Sequence, residues 1–127
     1  MRDIEFRGIV KEKGMSECWI KGSLLHITKT YKGEEDEQEC DIYQIITDDG
    51  AGFFVDKETV GQYAGLRDKN GKEIYEGDRV YIIPEDEYAE VEWDIESARF
   101  IVVYDDIITD FDNWNGKDLE VVGTIYD

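Results

Sequence analysis

The sequence has few of the side chains from which catalytic and metal sites are usually built. Its 127 residues include one histidine, two cysteines and one proline. Cys18 and Cys40 are far apart and do not form a Cys-x-x-Cys pair, which disfavours a zinc site and favours a thiol-keeping compartment. We expect two free, partly buried thiols, with a disulfide as the open alternative. His26 lies in the apolar run 24–27, where a hydrogen-bonded structural histidine is more common than a general base or a metal ligand.

Long apolar runs are also absent. No run approaches the roughly 18 apolar residues that cross a bilayer as a helix, and residues 1–6 alternate charged and apolar side chains, unlike a secretion signal. We therefore expect a soluble, non-secreted, cytoplasmic protein that does not bind membranes.

Positive charge is scarce and unevenly placed. The chain has 14 Lys and Arg against 32 Asp and Glu, a formal net charge of −18. Residues 85–127 contain only 2 of those bases but 14 of the acids. Such a field repels nucleic acids and anionic membranes, so direct nucleic-acid binding is disfavoured. A hydrophobic content of 41% with 13% aromatics nevertheless favours a folded chain over a disordered one.

The acid-rich segment after Pro84 contains the candidate binding residues. We predict that its carboxylates form an exposed face for a protein partner, and that three aromatic residues contribute contacts of the kind used in peptide grooves. The predicted aromatic contacts are Tyr81, Tyr88 and Trp114. The predicted acidic face consists of Glu85, Asp86, Glu87, Glu90, Glu92, Asp94, Glu96, Asp105, Asp106, Asp110 and Asp112.

The same acids are weak indications of catalysis. Among so many carboxylates, close pairs arise by chance and do not specify a glycosidase or a two-metal site. The spacing of Asp110, Asp112 and Trp114 resembles a calcium loop only loosely, because Trp114 stands where an oxygen ligand belongs. The glycines follow neither a P-loop nor a dinucleotide-binding spacing. We therefore predict no catalytic residues, no cofactor and no metal ligands.

Short strands separated by turn residues favour a mainly β fold. Asp56 is placed to cap one helical turn over 57–59, and apolar residues at 107, 111 and 114 permit a short helix, so we expect at most one or two short helical turns. Residues 32–39 read as a polar acidic loop. The expected strands are 4–7, 17–27, 41–47, 52–55, 79–83, 88–93, 99–104 and 119–126.

The most specific local pattern lies in residues 59–80, TVGQYAGLRDKNGKEIYEGDRV. Asp68-Lys69-Asn70-Gly71 predicts a hairpin turn, because Asn tolerates and Gly favours positive φ. The stretch resembles the signature of the YopX family of small phage and prophage proteins. The matching residues are Thr59, Val60, Gly61, Gln62, Tyr63, Gly65, Leu66, Asp68, Asn70, Gly71, Lys72, Ile74, Tyr75, Glu76, Gly77 and Asp78.

The resemblance implies a phage or prophage origin and a mostly β fold. We expect an SH3-like barrel with an additional N-terminal antiparallel β-sheet, divided into a β subdomain over 1–58 and a barrel over 59–127 that together form one compact unit. The family has no established biochemical activity to transfer.

Three functions from different classes remain open. The first is a non-enzymatic module that binds a host or viral protein. The second is an acidic nucleic-acid mimic of the anti-restriction or anti-CRISPR type, which would inhibit a basic host DNA-binding or defence protein. The third and least favoured is a small acid-dependent hydrolase. The sequence leaves open the identity of the partner, whether the chain forms a homo-oligomer, and whether its acidity is functional or only solubilising.

Overall fold

The computed structural model describes residues 4–12, 14, 16–33 and 35–127, with the backbone alone for Tyr31. The described residues form eleven strands and three 3-10 turns, and every described strand pair is antiparallel. The mainly β prediction is therefore confirmed. No sheet of the described residues closes on itself, so the SH3-like barrel is not confirmed. Within this part of the chain, no helix is both long enough and apolar enough to span a membrane.

The chain divides into two compact units, one over residues 5–60 and the other over residues 61–127. The N-terminal unit contains four strands in the order β4-β3-β2-β1. Val10 and Val55 are buried and bridge the end of β1 to the residue after β4, while Ile45 of β3 is fully buried. Its strands are β1 Phe6–Ile9, β2 Trp19–Lys32, β3 Glu37–Ile46 and β4 Gly52–Phe54, followed by a 3-10 turn at Lys57–Thr59.

The C-terminal unit contains a short hairpin and a five-stranded sheet. The hairpin consists of β5 Gly61–Arg67 and β6 Glu73–Tyr75, which reverse at the predicted turn with Gly71 at a φ of +81°. The sheet has the order β10-β9-β8-β7-β11. Its strands are β7 Asp78–Ile82, β8 Glu87–Asp94, β9 Arg99–Tyr104, β10 Ile107–Asp110 and β11 Leu119–Thr124.

One side of the five-stranded sheet faces the hydrophobic core of this unit. Alternate residues of each strand point to it, as the two-residue period of a strand requires. Val80, Val91, Val102 and Leu119 are fully buried there, and Ala64 and Ile74 of the hairpin belong to the same cluster. The opposite side of the sheet is called the outer face below.

Two predicted segments differ from the structure. The predicted loop over 32–39 is too long, because Lys32 ends β2 and residues 37–39 begin β3. Thr28 and Thr30 lie opposite Asp41 and Glu39, and Lys32 lies opposite Glu37, so polar groups pair across the two strands. Residues 107–114 are not a helix. A two-residue turn at 105–106 sends Ile107–Asp110 back along β9 as a strand, and only Phe111–Asn113 form a 3-10 turn.

A third 3-10 turn lies at Gly116–Asp118. The described chain thus has three short helical turns where we expected at most two. The turn at Lys57–Thr59 begins as predicted, with the Asp56 side chain accepting a hydrogen bond from the Glu58 amide at 3.1 Å.

Candidate partner-binding face

The strand registers arrange the outer face in rows. The first row contains Glu120, Tyr81 and Tyr88, because Tyr81 lies opposite both of the others. The second contains Arg79, Glu90, Val103 and Ile108. The third contains Glu92, Ile101 and Asp110, and the fourth contains Asp94 and Arg99. The outer face therefore mixes acidic, aromatic and aliphatic side chains with two arginines.

The two predicted tyrosines form a pair at one end of this face. Their ring centroids are 5.1 Å apart at an interplanar angle of 47°, and Tyr88 is 69% exposed. The Tyr81 hydroxyl donates a hydrogen bond of 2.6 Å to Asp86 in the turn between β7 and β8. That bond to a carboxylate raises the pKa of Tyr81. The hydroxyl holds the Tyr81 ring in place, whereas the Tyr88 ring stays open to a partner.

A shallow depression of about 360 Å³ lies beside Tyr88. Its lining includes the carboxylates of Glu90 and Asp105 together with Arg79 and Val103. Arg79 Nε lies 3.7 Å from Glu90 Oε1, and both side chains are about half exposed. A cationic side chain entering this depression would meet two carboxylates and an aromatic ring, the groups that bind ammonium and guanidinium ions.

None of the eleven predicted acidic residues is buried. The registers place these acids in three sets along the sheet. The first set lies at the end where the β7–β8 and β9–β10 turns are neighbours, and the second lies in the middle of β8. The third lies at the other end, around the β8–β9 turn and the segment after β10. The three sets are Glu85, Asp86, Glu87, Asp105 and Asp106; then Glu90 and Glu92; then Asp94, Glu96, Asp110 and Asp112.

Two acids of the third set, Asp94 and Asp110, have carboxylates engaged within the protein. Asp110 accepts hydrogen bonds from the Asp112 amide at 3.0 Å and from Arg99 at 2.7 Å. These bonds, the amide bond first, lower the pKa of Asp110 although burial acts in the opposite direction. Asp94 accepts a 2.6 Å hydrogen bond from the Ser97 hydroxyl, which likewise lowers its pKa. These acids terminate the strand and shape the turns, so they are less available to a partner than those beside Tyr88.

Trp114 does not join the two tyrosines. Its ring packs against the hydrophobic core, and its Nε1 donates a 3.2 Å hydrogen bond to the Thr109 hydroxyl. Thr109 lies opposite Val102, whose side chain points to the core. The sequence reasoning missed Val103, Ile108 and Arg79, which lie between the acids. Strand alternation outward from the buried residues of β7 and β9 would have found Arg79 and Val103, whereas Ile108 fell within the incorrectly predicted helix.

The single histidine and the two cysteines lie in the N-terminal unit. His26 Nε2 is 3.2 Å from Asp41 Oδ1 and its ring stacks on Tyr43 at 4.3 Å, so it is hydrogen bonded as expected. Hydrogen bonds from Thr28 and then His26 lower the pKa of Asp41. Cys18 and Cys40 are free thiols, but both are exposed rather than partly buried. Cys40 is exposed because β3 extends away from the core at that point.

The residues of the 59–80 pattern have structural roles. Asp68 is only 6% exposed, and its two carboxylate oxygens accept hydrogen bonds of 2.9 Å from the amides of Asn70, Lys72 and Val121. Burial raises the pKa of Asp68, but these three amide bonds together outweigh that effect and hold the pKa below its ordinary value. The pattern therefore closes the β5–β6 turn and ties it to β11.

Asp78, in the same pattern, is fully buried and accepts a 2.8 Å hydrogen bond from the Tyr75 amide. It fixes the turn between β6 and β7 much as Asp68 fixes the turn between β5 and β6. Both carboxylates act on backbone amides, and neither lies on the outer face.

Comparison with known proteins identifies the family to which this chain belongs. No curated protein with which the chain was compared matches it. A protein-family model described as YopX protein matches residues 5–127. This match covers nearly all of the sequence, including both compact units and the 59–80 pattern, so the chain belongs to the YopX family.

Proposed function

We propose that the protein is a non-enzymatic binding module whose outer face binds a basic segment of a host or viral protein. The observation that supports this most strongly is the exposed Tyr88 ring beside the depression lined by Glu90 and Asp105. An exposed aromatic residue next to apolar side chains and surrounded by charge is typical of protein interfaces.

The chemistry of this face indicates what the partner presents. A Lys or Arg side chain placed over Tyr88 gains a cation–π contact and ion pairs with Glu90 or Asp105. Apolar side chains of the partner then cover Ile108, which is 64% exposed, and the half-buried Val103. Arg79, already near Glu90, disfavours a second cation at that oxygen and so restricts where the partner's charge sits.

A nucleic-acid mimic is the second candidate, supported by a different set of acids. Glu85, Asp105 and Asp106 lie on two adjacent turns, and Glu87 begins β8 opposite the buried Ile82. None of these four acids has an ion pair among the described residues. Glu90 and Glu92 continue the negative charge along β8 on one side of the strand, about 7 Å apart. Such an array favours the basic channel of a DNA-binding or defence protein. The apolar residues between the acids favour the first candidate over this one.

The two candidates differ in which substitutions abolish binding. We suggest capturing partners from a bacterial lysate with the wild-type protein at low and high salt, then measuring affinity of the captured partner for purified variants. Tyr88→Ala removes the ring, and Glu85→Gln with Glu87→Gln removes turn charge without changing shape. Glu37→Gln with Glu39→Gln, in the other unit, removes the same charge as a matched control.

A binding module that uses the tyrosine face loses at least about tenfold in affinity with Tyr88→Ala. High salt weakens its ion pairs with the partner but does not release the partner, because the contacts of the Tyr88 ring and the apolar side chains are not screened. A mimic instead loses affinity with the turn variant and releases its partner as salt rises, because exposed ion pairs are screened. If the control variant weakens binding as much as either test variant, the outer face is not the binding site and both proposals fail.

The wider expectations for this chain are also proposals. The five-stranded sheet is a four-stranded meander whose fifth strand returns after 3-10 turns to lie beside the first, which supports an SH3-like barrel for residues 61–127. We propose that the protein acts in the cytoplasm of a bacterial host and derives from a phage or prophage, as membership of the YopX family suggests. The absence of catalytic, cofactor and metal-binding residues also remains a prediction.

A further inference from the structure

Strands β2 and β3 form a long hairpin arm that extends beyond its neighbours. The two strands pair from Ser23–Ile46 at the base to Lys32–Glu37 at the tip. β1 pairs only with residues 19–22 of β2, and β4 only with residues 44–46 of β3. Most of the arm is therefore a two-stranded ribbon among the described residues, a structure that is marginally stable in water unless it packs against something else.

The two sides of the arm differ sharply in charge. On one side of the arm, three acids of β3 lie opposite polar residues of β2. The pairs are Asp41 with Thr28, Glu39 with Thr30, and Glu37 with Lys32. The other side, which we call the neutral face, contains no carboxylate from β2 or β3. Its described side chains are Ser23, Leu25, Ile27, Lys29, Gln38, Cys40, Ile42, Gln44 and Ile46. Phe54 of β4 continues it at the base, where Asp56 and Glu58 border it.

The base of the neutral face is apolar and open. Phe54 is 45% exposed, Leu25 40% and Ile27 37%. Antiparallel sheets usually pack one side and solvate the other, and here the side with the composition of a packed surface is exposed. Residues 18–33, which include all of β2, also contain no acid, although acids make up 32 of the chain's 127 residues.

We propose that the neutral face is a contact between two copies of this chain. Two molecules with a formal charge of −18 each repel one another, so self-association requires a surface that brings no carboxylates together. A basic partner has the opposite preference and gains more from the acidic outer face. Lys21, Lys29 and Lys32 along β2 disfavour strand-to-strand pairing at the edge, so the contact is face to face.

A closed dimer results from a two-fold axis that lies in the interface, runs across the strands and passes near the Ile27–Ile42 pair. The apolar residues of both arms then lie at the centre, and the Lys29 residues lie apart on opposite sides of the axis. With strand spacings of about 4.8 Å and a rise of about 3.4 Å per residue, the face covers roughly 300–400 Å² per copy. That is about half the area a stable interface buries per partner, so the dimer is weak and concentration-dependent.

The test is sedimentation equilibrium of the full chain from about 10 µM to 1 mM, a range suited to a weak interface. Ile27→Glu places two carboxylates near the axis and is expected to weaken dimerisation at least about tenfold. Ile95→Glu makes the same substitution at an 84%-exposed residue of the C-terminal unit and leaves dimerisation within about threefold, a change worth less than 1 kcal/mol. Gln38→Glu, an almost isosteric change at an exposed position of the neutral face, also weakens dimerisation and covers the case in which Ile27→Glu does not fold.

Cys40 provides a second measurement. In the proposed dimer the two Cys40 residues are about 17 Å apart, from the spacing of stacked sheets and the strand rise, so a bismaleimide of that span joins two chains in the wild type and in Cys18→Ser. The product is lost in Cys40→Ser and reduced in Ile27→Glu. A chain that remains monomeric at 1 mM, or Ile95→Glu weakening the dimer as much as Ile27→Glu, would overturn the proposal.

Discussion

Replacing Asp68 tests how the C-terminal unit is held together. In Asp68→Asn one oxygen can still accept from Asn70 and Lys72, but the new NH₂ group faces the Val121 amide, donor to donor. Losing one charge-assisted bond and weakening two others costs about 3 kcal/mol of unfolding free energy. Asp68→Ala leaves all three amides without their acceptor and costs about 4–5 kcal/mol.

Urea unfolding of wild type and variants, followed by tryptophan fluorescence, measures these losses at pH 7. The pKa of Asp68 is lower when folded than when unfolded, so its stabilisation is fully present above the unfolded pKa of about 3.9 and disappears as the pH falls through the folded pKa. The difference between wild type and Asp68→Asn must therefore shrink below about pH 4. Asp112→Asn, at an exposed acid, changes stability by at most about 0.5 kcal/mol. A loss below about 1 kcal/mol for Asp68→Asn, well short of one charge-assisted bond, or a difference that stays constant down to pH 3, would refute this account.

Three further variants test other features. Asp105 and Asp106 both have positive φ, 47° and 63°, in a two-residue hairpin turn; Asn-Gly suits such a turn better and is expected to stabilise the protein by about 1 kcal/mol in urea unfolding, whereas unchanged stability would argue against strain there. A Cβ on Gly116 would lie 2.0 Å from the Arg67 carbonyl oxygen, so Gly116→Ala should lower the unfolding free energy by about 2–3 kcal/mol, and a neutral result would contradict that close approach. Asp86→Asn removes the carboxylate that accepts from Tyr81, so the Tyr81 pKa should fall towards about 10 in an ultraviolet pH titration, while an unmoved pKa would show that this bond does not cause the shift.

Local signals predicted the parts of the fold that depend on few residues. The turn at 68–71 was predicted from a few adjacent residues, and of the two residues expected to favour positive φ there, only Gly71 adopts it. The cap at Asp56 was likewise predicted from the residues next to it in the sequence.

Features that depend on distant partners were missed. The length of β2 and β3 comes from cross-strand pairs that no local window contains, so residues 32–39 looked like a loop. Asp68 was recognised as a turn residue, but its bond to Val121 joins positions 53 residues apart. The predicted contacts Tyr81 and Tyr88 do lie together because they face one another across two strands, whereas Trp114 turns towards the core. Whether any of them binds a partner remains a prediction.

The hydrogen bonds of Asp68 show which properties two members of the family have in common when they share the 59–80 pattern. Asp68 binds main-chain amides, and Asn70 and Gly71 form the turn that it closes, so none of the three places a side chain among the rows that contain Tyr88 and Glu90. Two chains can thus share this signature in full and still differ at every position a ligand would touch. The shared signature therefore specifies the fold, and the ligand that each member binds can change during evolution without altering that fold.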